Sequence, residues 1–279
     1  MRIAVGQFEP RVGEKERNVA RTLKLIDEAA SRGVELLVLP ELCNSGYVFE
    51  SKEEAESLAE GVPGGPTVEA WLERCAARGL MLVAGIAERD GDALYNSAVV
   101  VGPGGSLGTY RKLHLWDQEN RWFAPGNRGV PVFDTTVGRI AAIICYDGWF
   151  PECYRVAALA GADVVCMPTN WVPIPGQEAG REAMATVLCQ AAAHSNSIVV
   201  AAADRVGVER GQPFIGQSVI VSHTGWPLAG PASEGGEELL VADVDPAEAR
   251  RARRWNEFND PLADRRPEVY GPMAGRPPA

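Results

Sequence analysis

Short, almost wholly apolar runs alternate with amphipathic stretches along this chain, and that alternation constrains its fold more than any other feature. Runs of strand length lie at Ile3 to Phe8, Val34 to Pro40, Met81 to Ala87, Asn96 to Val101, Ile140 to Cys145, Asp163 to Pro168, Ile198 to Ala203, Ser218 to Ser222 and Leu239 to Asp243. A strand that is apolar at consecutive positions has no face to show to water, so it needs cover on both sides. Helical patterns supply that cover. Val19, Leu23, Ile26 and Ala30 recur at steps of three and four within Asn18 to Arg32, which Gly33 ends. Val68 to Arg78 stops at Gly79 in the same way, and Cys153 to Ala160 and the Ala-rich Glu178 to Ser195 complete the set. The reading is α/β layering. Gly-Pro turns around Asn96 to Arg111 and Ser218 to Asp243 predict antiparallel hairpins, so the sheets are expected to be mixed.

No repeat, linker or composition break divides residues 1–279, which are therefore expected to form a single domain. From about residue 246 the pattern loosens into an arm that carries Trp255, Phe258, Leu262 and Tyr270 among prolines and charges. Such aromatics are too scattered to bury one another, which predicts docking on a second copy and hence a homodimer or larger even-numbered homo-oligomer.

A net charge of -10 argues against nucleic acid as a partner, since a phosphate-binding surface needs clustered Lys and Arg. The basic group Arg250 to Arg254 reads as a solvated helix face. The opening MRIAVGQFEP lacks the apolar core and cleavage site of a signal peptide, and no apolar run approaches the roughly 20 residues that span a bilayer. No membrane association is therefore expected. The 6 cysteines form no CxxC pair and, with 3 histidines, no metal-ligand rhythm. Reduced thiols in a cytoplasm fit that usage, and neither metal nor organic cofactor is expected.

One cysteine stands apart by position. Cys145 closes a buried strand and opens the turn Tyr146-Asp147-Gly148, at the kind of strand end where open α/β sheets bind ligands. A free thiol is ordinarily a small packed hydrophobe. A thiol nucleophile needs a base, a group for the developing oxyanion, and something to orient both. A Cys/His pair would draw on His114, His194 or His223. Two carboxylates and a lysine offer another route. Glu41 follows the very apolar VELLVLP, where desolvation raises a carboxyl pKa into the range useful for proton transfer. Lys112 ends the strand-like LGTYRK, and Glu119 lies one loop further on.

LVLPELCNSGY, YRKLHLWDQE with FAPG, and IICYDGWFPE stand in the order and approximate spacing that mark the nitrilase superfamily of carbon-nitrogen hydrolases, which this chain resembles in its amidase-like branch. The resemblance runs from IAVGQFEP through GADVVCMPTNW and VVAAADRVG to DRRPEVYG, nearly the whole chain. It implies a four-layered α-β-β-α sandwich with mixed sheets and a triad of Glu41, Lys112 and Cys145, with Glu119 supporting Lys112 and the substrate amide. It further implies that Cys145 attacks the carbonyl, that Lys112 and the backbone N–H of Tyr146 hold the oxyanion, and that water hydrolyses the resulting thioester. Members pair through the helical face and C-terminal segment, which agrees with the arm. Where the family often carries Arg-Ala-x-Glu-Asn this chain has CQAAAHSN, with Ser195 in place of the glutamate, and Asp204 replaces a frequent Asn.

CYD after the strand resembles the amide-hydrolysing branches, whereas nitrilases more often carry Cys-Trp-Glu. The expected reaction is hydrolysis of a small carboxamide to the acid and ammonia, with nitrilase, N-carbamoyl amidohydrolase and acyltransferase as alternatives on the same triad. Asn170 and Trp171 in MPTNW, Trp149 and Trp122 are the expected pocket walls beside Tyr146; core packing is the other reading of the tryptophans.

Overall fold

The apolar runs assemble into two mixed sheets in a computed structural model that describes residues 1–178 and 180–271. In the first sheet, Arg2–Gln7, Leu36–Val38 and Met81–Asp90 run parallel. Ala93–Gly102 and Gly105–Arg111 extend it as an antiparallel meander, so Gly105–Arg111 points the same way as the parallel strands. The second sheet repeats the plan with Gly138–Ala142, Val164–Pro168 and Val199–Ala203 parallel and antiparallel neighbours on either side.

Why the runs are apolar throughout follows from the pleat, which sends successive side chains to opposite faces. Ile3, Val5, Leu36, Val38 and Val83 join the core between the sheets, in one cluster with Phe133, Ile140, Ala142, Val164 and Val199 of the second sheet. Their neighbours Ala4, Leu37, Leu82 and Ala84 pack instead with Leu25, Ile26, Val68 and Trp71 of the helices Lys15–Ser31 and Pro66–Arg78. On the opposite side Pro151–Leu159 and Met184–Asn196 cover the second sheet through Cys153, Ala157, Cys189 and Ala193. The layers are α-β-β-α, as the resemblance implies. Among the described residues no helix is long and apolar enough to cross a membrane. All six cysteines are buried and free.

Three local expectations are corrected. The helix expected over Glu178 to Ser195 starts only at Met184. Gly176 and Gly180 adopt φ of +86° and +75°, a left-handed backbone that no α-helix accommodates, while residue 179 lies outside the described residues. Ser218 to Asp243 is not one hairpin: Val219–Val221 pairs with Pro227–Ala229, and Glu238–Asp243 then crosses to the free edge of Arg2–Gln7 in the other sheet. The Arg250 to Arg254 group is not wholly solvated. Helix Pro246–Arg251 docks on its own chain, where Arg250 Nη1 reaches the buried Asp163 Oδ2 at 2.5 Å and Arg253 Nη2 donates to Ala162 O at 2.7 Å. The arm is therefore anchored at its start, and its last residues, 272–279, lie outside the described part.

Candidate active site

Glu41, Lys112, Cys145 and Asn170 all lie just past the C-terminal ends of strands that point the same way within their sheets, which is where open α/β architectures place ligands. Two glycines let the chain come close enough there. A Cβ on Gly85 would strike the backbone of Pro40, Glu41 and Leu42, and one on Gly126 would strike the backbone of Arg111 and Lys112. The FAPG segment thus holds Lys112 in place, with Gly126 N donating to Lys112 O at 2.8 Å.

The three charged groups are fully enclosed. Lys112 Nζ donates to Glu41 Oε1 at 2.6 Å and to Glu119 Oε1 at 2.7 Å, and its side chain is 0% exposed. Asn96 Nδ2 also donates to Glu41 Oε1, at 2.6 Å, while Glu41 Oε2 is buried and accepts nothing from any described residue. Glu119 is steadied by Tyr47 OH at 2.6 Å and Trp116 N at 3.3 Å. Burial pushes the Glu41 carboxyl up, to about 7, against the pull of the Lys112 ammonium. Lys112 is itself penalised by burial, but Glu119 and Glu41 outweigh this and hold its ammonium above the ordinary lysine value. At working pH the lysine is a fixed cation, and Glu41 is poised to exchange a proton.

Cys145 follows two extended residues beyond Gly138–Ala142, so the strand ends slightly before the expected tip. Its φ of +45° opens the 3-10 turn Cys145–Trp149. Burial drives its thiol well above the ordinary cysteine value and the negative charge of Glu41 adds to this, while the Lys112 ammonium works in the opposite direction. The resting group is the neutral thiol, which needs a base at the moment of attack.

Cys145 opens on a cavity lined by Trp116, Tyr146, Trp149, Asn170, Trp171, Val172 and Ile174. Of the expected walls, Tyr146, Trp149, Asn170 and Trp171 are there, whereas Trp122 lines the adjoining cavity with Tyr47, Phe49 and Glu119. Asn170 Nδ2 donates to Glu41 O at 3.0 Å, and its buried Oδ1 has no partner among the described residues. Asp204, in place of the frequent Asn, accepts from Trp171 N at 2.8 Å and so sets that wall; Ser195 is exposed on its helix. The histidines are occupied elsewhere. His114 Nδ1 faces Asp147 Oδ1 at 2.8 Å and its ring stacks on Phe150, His194 Nδ1 meets Thr224 O at 3.0 Å, and His223 is half-buried.

The sequence reading did not single out Asn96, Tyr47 or Trp116. Tyr47 and Trp116 stood inside the quoted motifs LVLPELCNSGY and YRKLHLWDQE; Trp116 is three residues from the Glu119 it serves, whereas Tyr47 meets Glu119 only through the fold. Asn96 gave no signal, because it reaches Glu41 only once the pairing of Ala87 with Asn96 is set.

The family model for carbon-nitrogen hydrolases matches residues 2–254. The chain is 42% identical over 271 residues to a nitrilase of Pyrococcus abyssi, across 97% of this chain and 99% of that one. It is 32% identical over 270 residues to an N-carbamoylputrescine amidase of Solanum lycopersicum, across 91% and 88%. Among solved structures, a variant of the amidase from Nesterenkonia sp. AN1, shown after Michael addition of acrylamide at its active-site cysteine, has a TM-score of 0.79 at 28% identity, covering 98% of this chain and 99% of that one.

Proposed function

The chain belongs to the carbon-nitrogen hydrolase family, and from that premise we propose that it hydrolyses a small carboxamide to a carboxylic acid and ammonia through a thioester on Cys145. The observation that carries this reading is Glu41, which spends one oxygen on Lys112 and Asn96 and keeps the other buried and unpartnered at the same strand-end cluster as Cys145. Glu41 Oε2 takes the thiol proton as the sulfur lone pair forms a bond to the carbonyl carbon. The carbonyl pair moves onto oxygen, which Lys112 and the N–H of Tyr146 stabilise, and Asn170 Oδ1 accepts from the substrate N–H. Collapse of the adduct breaks the carbon-nitrogen bond, and the nitrogen takes the proton back from Glu41 and leaves. Water then gives a proton to Glu41 and attacks the thioester; the carbon-sulfur bond breaks, and the proton returns to sulfur. Glu119, between Tyr47 and Lys112, keeps the ammonium aimed at the oxyanion.

The cavity beside Cys145 is small and walled by aromatic rings, which supports a small, partly apolar acyl group. A panel of amides, nitriles and N-carbamoyl compounds assayed for ammonia tests the assignment. Short aliphatic or aryl carboxamides are expected to be the best substrates. Ammonia from nitriles or N-carbamoyl compounds alone would move the assignment to those branches, and hydroxamate formed at the expense of acid in added hydroxylamine would favour acyl transfer.

For assembly we propose an even-numbered homo-oligomer: the arm is anchored on its own chain at Arg250 and Arg253 and again at Leu262, which packs on the core instead of awaiting a second copy, while Trp255 and Phe258 remain exposed to reach a partner. Trp255 and Phe258 are 55% and 82% exposed, and Val156, Leu159, Met184 and Val187 leave apolar side chains on the outer helices. Apolar exposure on this scale is costly in water. Truncation after residue 254 is expected to lower the oligomeric state or solubility, measured by light scattering, with activity falling through loss of pocket order. A monomeric full-length protein at micromolar concentration would contradict it.

A further inference from the structure

Behind the cavity, one buried carboxylate ties the two sheets together at the points that carry Cys145 and Lys112. Asp147 lies in the turn Cys145–Trp149 and is 0% exposed. Its Oδ2 accepts from Tyr110 OH at 2.6 Å and from Ile144 N at 2.9 Å. Its Oδ1 accepts from His114 N at 3.0 Å and faces His114 Nδ1 at 2.8 Å. A carboxylate is acceptor-only, which assigns the ring proton of His114 to Nδ1.

The donors come from two places that chemistry needs in register. Ile144 immediately precedes Cys145. Tyr110 ends one side of the segment that carries Lys112 and His114 the other, on the far side of the inter-sheet core. Tyr110 OH also accepts from Leu113 N at 3.3 Å, so a single phenol joins Asp147 to the backbone beside Lys112. Phe150 stacks on the His114 ring at 3.6 Å between centroids and closes the group from outside.

We propose that Asp147 is a positioning residue for the reaction: through Ile144 N, Tyr110 OH and His114 it fixes the separation of Cys145 from Lys112 and holds Cys145 in its left-handed backbone conformation. This rests on the reading of Cys145 and Lys112 given above. The left-handed backbone is unfavourable for a residue with a side chain, and the bond from Ile144 N to Asp147 Oδ2 braces the turn against relaxing. Displacement of about 1 Å between nucleophile and oxyanion site costs about 100-fold in rate without loss of substrate affinity. An exclusively structural Asp147 would lower thermal stability and leave kcat per folded molecule alone.

The test compares Asp147→Asn and Tyr110→Phe with wild type for kcat, KM and the rate at which iodoacetamide alkylates Cys145, followed by peptide mass mapping. Asparagine keeps one acceptor oxygen and turns an NH2 toward other donors, so kcat is expected to fall about 100-fold with KM changed less than about threefold. Tyr110→Phe removes one donor and keeps the ring; kcat and the alkylation rate are expected to fall together, by about tenfold. Should Asp147→Asn fail to fold, Tyr110→Phe decides alone. Wild-type kcat and alkylation in Tyr110→Phe, or wild-type kcat in folded Asp147→Asn, would overturn the proposal while leaving the site intact. Continued hydrolysis by Cys145→Ala would instead overturn the site, and this role with it.

Discussion

Cys145→Ala is expected to lower kcat/KM by about 10,000-fold or more while leaving circular dichroism, assembly and thermal midpoint close to wild type. The large effect follows from removing the atom that forms the new bond, which no neighbour replaces: His114, His194 and His223 have other partners or other places, and the remaining cysteines pack within the core. The small structural effect follows from geometry. Cys145 is 7% exposed and borders a cavity, so alanine removes one atom from the edge of an existing space and leaves no new enclosed void. Cys166→Ala and Cys189→Ala are the natural controls, because both thiols are fully buried and neither lines the cavity at Cys145, so they should change stability more than rate.

Glu41→Gln is expected to lower kcat by about 100- to 10,000-fold with a much smaller change in KM. The amide nearly preserves the shape, but it cannot take the thiol proton or return it to the leaving nitrogen. The pH profile separates this loss from a disturbance of packing. A base works only when deprotonated, and burial raises the Glu41 carboxyl to about 7, so wild-type kcat/KM should climb as pH rises through that value and lie well below its plateau at pH 5.5. The residual activity of Glu41→Gln should lack this limb. Replacing His194 or His223 should leave the limb in place and cost less than about tenfold in rate, whereas replacing His114, which faces Asp147, should lower the plateau and still leave the limb. An inactive histidine variant beside an active Glu41→Gln would move the base from carboxylate to imidazole.

The layering was legible because its cause is local. A strand buried on both faces has to be apolar at every position, as Ile3, Ala4 and Val5 show by dividing themselves between two cores. Destinations were less legible than elements. Glu238–Asp243 has the pattern of any strand, and nothing in its residues says that it pairs with Arg2–Gln7 across the molecule instead of the hairpin it follows. The start of the helix expected from Glu178 was lost for a different reason, since an Ala-rich stretch favours helix while the left-handed Gly180 inside it interrupts the backbone before Met184.

The site divides in the same manner. Glu41 and Cys145 stand at the ends of apolar runs, so their sequence context announces both desolvation and position, whereas Lys112 ends the strand-like LGTYRK, which announces position alone. What surrounds them arrives through contacts distant in sequence: Asn96 reaches Glu41 across a strand pair, and Asp147 meets Tyr110 across the inter-sheet core. Trp122 was read with the other tryptophans as a wall of the thiol cavity, but the short helix Glu119–Trp122 turns it into the neighbouring space beside Phe49. Composition identifies an aromatic site, and only the fold assigns each ring to a chamber.

The central claim, a covalent acyl group on Cys145, is tested most directly by acid-quenching wild-type enzyme during turnover of a slowly deacylated amide and mapping the adduct by peptide mass spectrometry. The account predicts a mass increase equal to the acyl group, confined to the peptide containing Cys145, that appears before steady state and disappears when substrate is exhausted. Steady turnover with Cys145 unmodified at every time point, or an acyl group on another residue, would contradict it.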